Sequence, residues 1–167
     1  SSRAGDGYLA SCWARIVAGV GSMWRNAVSL STCWGGCFRR VIQLFQSRDD
    51  GETWSLLSTL SEMPGSEVWD DPANQPPGHL GISAITADRD DPSTFWAIVQ
   101  GIGLFETADH GGTWTPRNRG LRADWPREHE EVGFCVHKVV RSPVDADRMY
   151  QQNHVGMHRS DDRGATW

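Results

Sequence analysis

Lysine is almost missing from this chain: of 16 basic residues only Lys138 is a lysine. Set against 21 acidic residues, they leave a formal net charge of -5. That balance excludes a general nucleic-acid binder, which needs a basic face to displace counterions from phosphate. The arginine bias reads as genome composition. Also lacking is any uninterrupted apolar run of about 18 residues, so no membrane span is expected. The segment Tyr8–Trp24 is broken by Arg15 and several glycines and has no signal-peptide core. Cysteine is sparse. Cys12, Cys33, Cys37 and Cys135 are irregularly spaced in a chain of 167 residues, too long and too tryptophan-rich to need disulfide staples, so reduced thiols are expected. Reduced thiols and the missing leader tilt the expected location toward the cytoplasm. Cys33 and Cys37, in CWGGC, have no second Cys or His pair at a finger-like distance, whereas a structural zinc site wants four ligands. Neither a metal nor another cofactor is expected.

What is present argues for a folded domain. Hydrophobic residues make up 38% and nine residues are tryptophan, a load of rigid apolar surface that needs a core to pack into. The chain also repeats itself. Ser47–Trp54 reads SRDDGETW, Thr107–Trp114 reads TADHGGTW and Ser160–Trp167 reads SDDRGATW, with starts 60 and 53 residues apart. More than the eight-residue box repeats. Ile82–Ile85 falls on Val136–Val139, Asp91–Trp96 on Asp145–Tyr150, and Gly103–Thr107 on Gly156–Ser160. The order is a short β-rich run, an Asp/Pro turn, a second run ending in a large aromatic, a glycine turn, a third run and the box, which is the order of an antiparallel meander.

Five box positions hold: Ser/Thr first (Ser47, Thr107, Ser160), Asp third (Asp49, Asp109, Asp162), Gly fifth (Gly51, Gly111, Gly164), Thr seventh (Thr53, Thr113, Thr166) and Trp eighth (Trp54, Trp114, Trp167). The aspartates are expected to accept hydrogen bonds from turn amides about two residues on. The glycines supply positive φ, the threonines restart a strand and bond back into the turn, and the tryptophans cover the hairpin.

This pattern resembles the Asp-box or BNR repeat of sialidases, several glycoside hydrolases and many non-sialidase β-propellers. The likeness covers roughly residues 44–167. It extends to a bacterial, sialidase-like group with segments similar to NRGLRAD at Asn118–Asp124, CVHKVV at Cys135–Val140 and YQQNH at Tyr150–His154. The resemblance implies an all-β fold, a partial β-propeller of four-stranded antiparallel blades, with each box turning between the third and fourth strands and facing away from substrate. Residues 1–43 show no blade pattern, and the glycine turn expected before the first box is absent at Val41–Gln43. They are read as a divergent or poorly ordered N-terminal segment. Two to three blades over 44–167 cannot close a ring, so a fragment of a longer protein is expected.

The meander also predicts faces. Box turns and Asp/Pro turns share one side, and second-to-third-strand turns and blade linkers share the other, where propellers usually place function. Two linkers there set Trp beside carboxylates: Trp69 with Asp70 and Asp71, and Trp125 with Asp124, Glu128, Glu130 and Glu131. Aromatic faces against sugar rings and paired carboxyls for glycoside hydrolysis have this composition, but so do a Trp sealing adjacent blades and a solvated acidic run. His137, Gln152, Asn153 and His154 are expected to converge on the channel, as polar lining in preference to metal ligands. His79 and His129 have no assignable partner, and Tyr150, aligned with Trp96, is read as core.

The sialidase chemistry that the family implies needs three arginines, a tyrosine nucleophile backed by glutamate, and an aspartic acid. No arginine triad can be matched, and Tyr8 and Tyr150 are the only tyrosines. The preferred expectation is therefore a binding or assembly scaffold that presents its linker loops to a protein or glycan. The alternative is part of a glycoside hydrolase using Asp70, Asp71, Asp124, Glu128 or Glu130. A hydrolase requires two carboxyls facing one cleft about 5–10 Å apart, one with a raised pKa.

Overall fold

A computed structural model describes residues 15–17, 27–32, 41–49, 51–69, 81–123 and 133–167. The chain forms three antiparallel sheets, each a meander in which strands pair in chain order. The first contains β1 (Arg15–Val17), β2 (Ala27–Thr32), β3 (Val41–Gln46) and β4 (Ser55–Leu57). In the second are β5 (Ile82–Ala87), β6 (Phe95–Val99), β7 (Gly103–Thr107) and β8 (Thr115–Pro116). The third holds β9 (Lys138–Arg141), β10 (Met149–Asn153) and β11 (Gly156–Ser160). A single 3-10 turn at Ser66–Val68 is the only helical element among the described residues, and no helix there is long and apolar enough to cross a membrane.

Alternation of side chains across the pleat explains how the sheets stack. On β6, Phe95, Ala97 and Val99 point into a cluster shared with Ile42 and Leu44 of β3, while Trp96 and Ile98 point into a second cluster with Val139 and Met149 of the third sheet. All five residues of β6 and all five of β7 are buried, because the second sheet is covered on both faces. The innermost strands β1, β5 and β9 meet side by side.

Two sequence expectations need adjustment, and the segment read as divergent joins a sheet. The stretch that carries no blade pattern supplies β1 and β2, which extend the first sheet through the register Val28↔Phe45 and Ser29↔Leu44. Val41–Gln43, where a glycine turn was missed, lies inside β3. Trp96 and Tyr150 sit at the start of β6 and β10, because the Asp/Pro turn runs straight into those strands.

The seam between the second and third sheets also holds buried charge. Asp88, 3% exposed, receives Arg141 Nη1 at 2.9 Å and the Arg163 guanidinium, and accepts the amides of Asp90 and Asp91 through Oδ1. Both arginines lie over the Trp96 ring, at 5.4 and 6.0 Å from its centroid. With two cations and two amides, the carboxylate is solvated by the protein itself, which is the condition for keeping a charge buried.

Candidate functional site

The three box turns superimpose bond for bond. The first-position hydroxyl of Ser47, Thr107 or Ser160 donates to the Asp Oδ1 at 2.9, 2.8 and 2.7 Å and accepts the glycine amide at 2.7, 2.8 and 2.8 Å. The same Oδ1 accepts the amide of Thr53, Thr113 or Thr166 at 2.8 Å in each copy. Oδ2 takes the threonine hydroxyl. The aspartate thus reaches four residues on, against the two expected from sequence, because the bend at Gly51, Gly111 and Gly164 (φ 94, 85 and 88°) folds the threonine back over the carboxylate. The Ser/Thr role as a bridge between carboxylate and glycine amide was not read from sequence, although its recurrence was visible.

These donors hold the box aspartates in the ionised form. Bonds from Thr166 and Ser160 lower the pKa of Asp162 to about 2, and Thr113 and Thr53 lower Asp109 and Asp49. In the Asp/Pro turn, bonds from Ser93 and Thr94 lower Asp91 to about 2. Both turn types lie at one edge of the sheets, since His110 N donates to Ser93 O at 2.9 Å and Arg163 N to Asp147 O at 2.8 Å. The second and third boxes also grip the preceding sheet, whereas Trp54 Nε1 of the first donates to its own Gly51 O at 3.0 Å. Thr59 Oγ1, just after β4, donates to Gly111 O and accepts Trp114 Nε1 at 3.0 Å, and Trp167 Nε1 donates to Arg117 O at 2.8 Å.

The opposite edge is arranged differently. His137 N donates to Gln152 O at 2.8 Å, fixing the entry to β9 against the end of β10. Asn153 pairs with Gly156, which leaves His154 and Val155 as a two-residue hairpin loop. Asn153 is buried and holds that loop, its Oδ1 accepting Val155 N at 3.0 Å and its Nδ2 donating to Arg122 O at 3.1 Å. His137 and His154 are exposed and stack edge to face, 4.4 Å between centroids, and Gln152 is exposed beside them. Buried Cys135 completes the group: its sulfur and one ring nitrogen of each histidine lie within 4.8 Å of one another.

The structure therefore brings His137, Gln152, Asn153 and His154 together, with Asn153 as the strut. Trp69 is placed elsewhere: it is 4% exposed in the seam between the first two sheets, 4.9 Å from Phe105 by ring centroids. Tyr150 is half-buried on the face of the third sheet that corresponds to the fully buried Trp96. Asp70, Asp71, Asp124, Trp125, Glu128, Glu130 and Glu131 lie outside the described residues, as do His79, His129, Cys33 and Cys37. Cys135 was missed as a site residue because sequence separates it from His154 by a whole strand pair; its Cys-x-His spacing to His137 was the available signal.

No family model matches the sequence, and no curated protein matches it. Among solved structures, the chain is similar to the GH74 xyloglucanase of Xanthomonas campestris, with 15% identity and a TM-score of 0.50, over 84% of this chain and 21% of that one. It is also similar to YCF48, in a structure bound to D1 peptide, with 14% identity and a TM-score of 0.46, over 84% of this chain and 36% of that one. The chain thus spans about a fifth and about a third of the lengths of these two neighbours. With its stacked antiparallel meanders and the xyloglucanase likeness, the fold is all-β, part of a β-propeller built from four-stranded antiparallel blades.

Proposed function

We propose that the chain is a segment of a BNR-type, Asp-box propeller of the sialidase-like group, with its regular blades over 44–167, and that it serves as a binding or assembly scaffold. Its ligand, a protein or a glycan, meets the edge carrying His137, Gln152, Asn153 and His154. The observation that carries this reading is the contrast between the two edges. At the box edge Asp49, Asp91, Asp109 and Asp162 are each engaged by turn donors and held ionised, the reverse of the raised pKa that a general acid requires. At the other edge exposed imidazoles, from the entry to β9 and from a braced hairpin, sit together with an exposed amide. The open face of the third sheet, with Val140 and Met157 42% and 71% exposed, corresponds to the face of the second sheet that the third one covers. It suits a further blade of the same kind.

The test pairs a glycan array, including xyloglucan oligosaccharides and α-sialosides, with a peptide array, and follows reducing-end release in parallel. Saturable binding without turnover is expected, weakened at least tenfold by His154→Ala and unchanged by Val144→Ser at the opposite edge. Turnover of any glycan, or binding that survives His154→Ala and fails in Val144→Ser, would overturn the proposal.

A further inference from the structure

We propose that Cys135, His137 and His154 form a three-ligand site for a divalent zinc-type cation. The donor set is one sulfur and two imidazole nitrogens, all within 4.8 Å of one another. Tetrahedral zinc, with bonds of about 2.3 Å to sulfur and 2.0–2.1 Å to nitrogen, needs donors roughly 3.4–3.6 Å apart. Rotation of the two exposed rings, which already stack at 4.4 Å, is the movement that would bring the donors to that spacing.

The backbone beneath the donors is fixed on three sides. The His137 amide is bonded to Gln152 O, the Asn153 side chain ties the His154 hairpin to Arg122 O, and Phe134 N donates to Ile102 O at 3.3 Å just before Cys135. The ligands therefore project from strand ends and a tight hairpin, which makes the site pre-organised and lowers the ordering entropy that binding must overcome. Sulfur with imidazole selects zinc and its borderline-soft neighbours over magnesium or calcium, which prefer oxygen. On binding, the thiol proton of Cys135 leaves to solvent and the thiolate becomes a ligand. Three protein donors leave a fourth position for water or for a donor atom of an incoming ligand, as in zinc sites that are not purely structural. The inference is independent of the scaffold reading, since the cation can bind whether or not the face takes a glycan or a protein.

Cobalt(II) is the probe, titrated into the reduced protein alongside its Cys33→Ser/Cys37→Ser variant. One equivalent is expected to give intense tetrahedral d–d bands and a thiolate-to-cobalt charge-transfer band, both retained in the double variant and both displaced by zinc. Cys135→Ser should abolish the charge-transfer band, and His154→Ala, at an exposed loop position, should weaken cobalt binding at least tenfold. A spectrum without the charge-transfer band, one lost in the Cys33→Ser/Cys37→Ser protein, or one unchanged by His154→Ala would each refute the site. If Cys135→Ser fails to fold, the His154→Ala titration decides.

Discussion

Gly111→Ala tests whether the box is both a turn and a clamp between sheets. Gly111 has φ +85°, a left-handed conformation that costs an alanine roughly 1–2 kcal/mol. The added methyl would also meet the Leu57 side chain of the first sheet at a separation no real carbon contact adopts, so Leu57 must move within the packed seam. Overpacking of this kind costs about 1–3 kcal/mol, giving about 2–5 kcal/mol together. Gly65→Ala is the control: its φ is +89°, but nothing lies within 4 Å of the added carbon, so strain alone remains. Urea unfolding followed by tryptophan fluorescence reads both. At a urea m-value of about 2 kcal/mol/M, the Gly111→Ala midpoint should fall by about 1–2.5 M and the Gly65→Ala midpoint by about 0.5–1 M, with m unchanged. Equal losses in the two variants would refute the clamp. No loss in either would refute the whole account of these turns.

Acid should unfold the protein through its turn aspartates. Asp91 and Asp162 titrate at about 2 when folded, below their ordinary value of 3.8. Depressed acids stabilise fully above the unfolded value and lose that contribution as pH falls through the folded one, so the loss runs from about pH 4 to about pH 2. Asp91→Asn and Asp162→Asn should each flatten the midpoint-against-pH curve in that window; an unchanged curve counts against the bonding scheme. Asp88→Asn should cost about 3–5 kcal/mol in thermal unfolding, because it strands the buried Arg141 guanidinium beside a neutral amide. A loss under 1 kcal/mol would show that the ion pair is not what holds the seam. Trp69→Ala should destabilise by about 3–5 kcal/mol while leaving ligand binding at His154 intact, and the opposite outcome would make Trp69 a binding residue after all.

Where a residue's partner is close in sequence, the primary structure was informative. Each box carries its own donors and acceptor within eight residues, so the turn could be located three times. The positive φ of Gly51, Gly111 and Gly164 followed from the residue type. The shared edge of box and Asp/Pro turns followed from the meander, and the His110–Ser93 and Arg163–Asp147 backbone bonds realise it. What depends on another sheet was hidden. β1 and β2 take their register from β3, and residues 1–43 have no box of their own to mark a blade. The burial of Trp69 depends on Phe105 of β7, thirty-six positions away, so composition alone left it equally suited to a sugar ring. Arg163 occupies a variable box position, yet it reaches Asp88 across the seam. Cys135 joins His154 only once β9 and β10 are paired.

The repeated turn limits where function can be placed. A carboxylate that accepts an amide and two hydroxyls has most of its acceptor sites occupied within the turn, and donors that lower its pKa remove it as an acid at neutral pH. Three copies of that arrangement make the box edge chemically closed, and the tryptophan and threonine bonds to the preceding sheet make it rigid as well. Strands only five residues long join this edge to the hairpin at the other. The His154 loop has two residues between paired strand ends and a buried asparagine beneath it. It can present the His154 imidazole to a ligand without the entropy cost of an ordinary surface loop. The polar groups of one edge are committed to its turns, and the exposed imidazoles of His137 and His154 lie at the other.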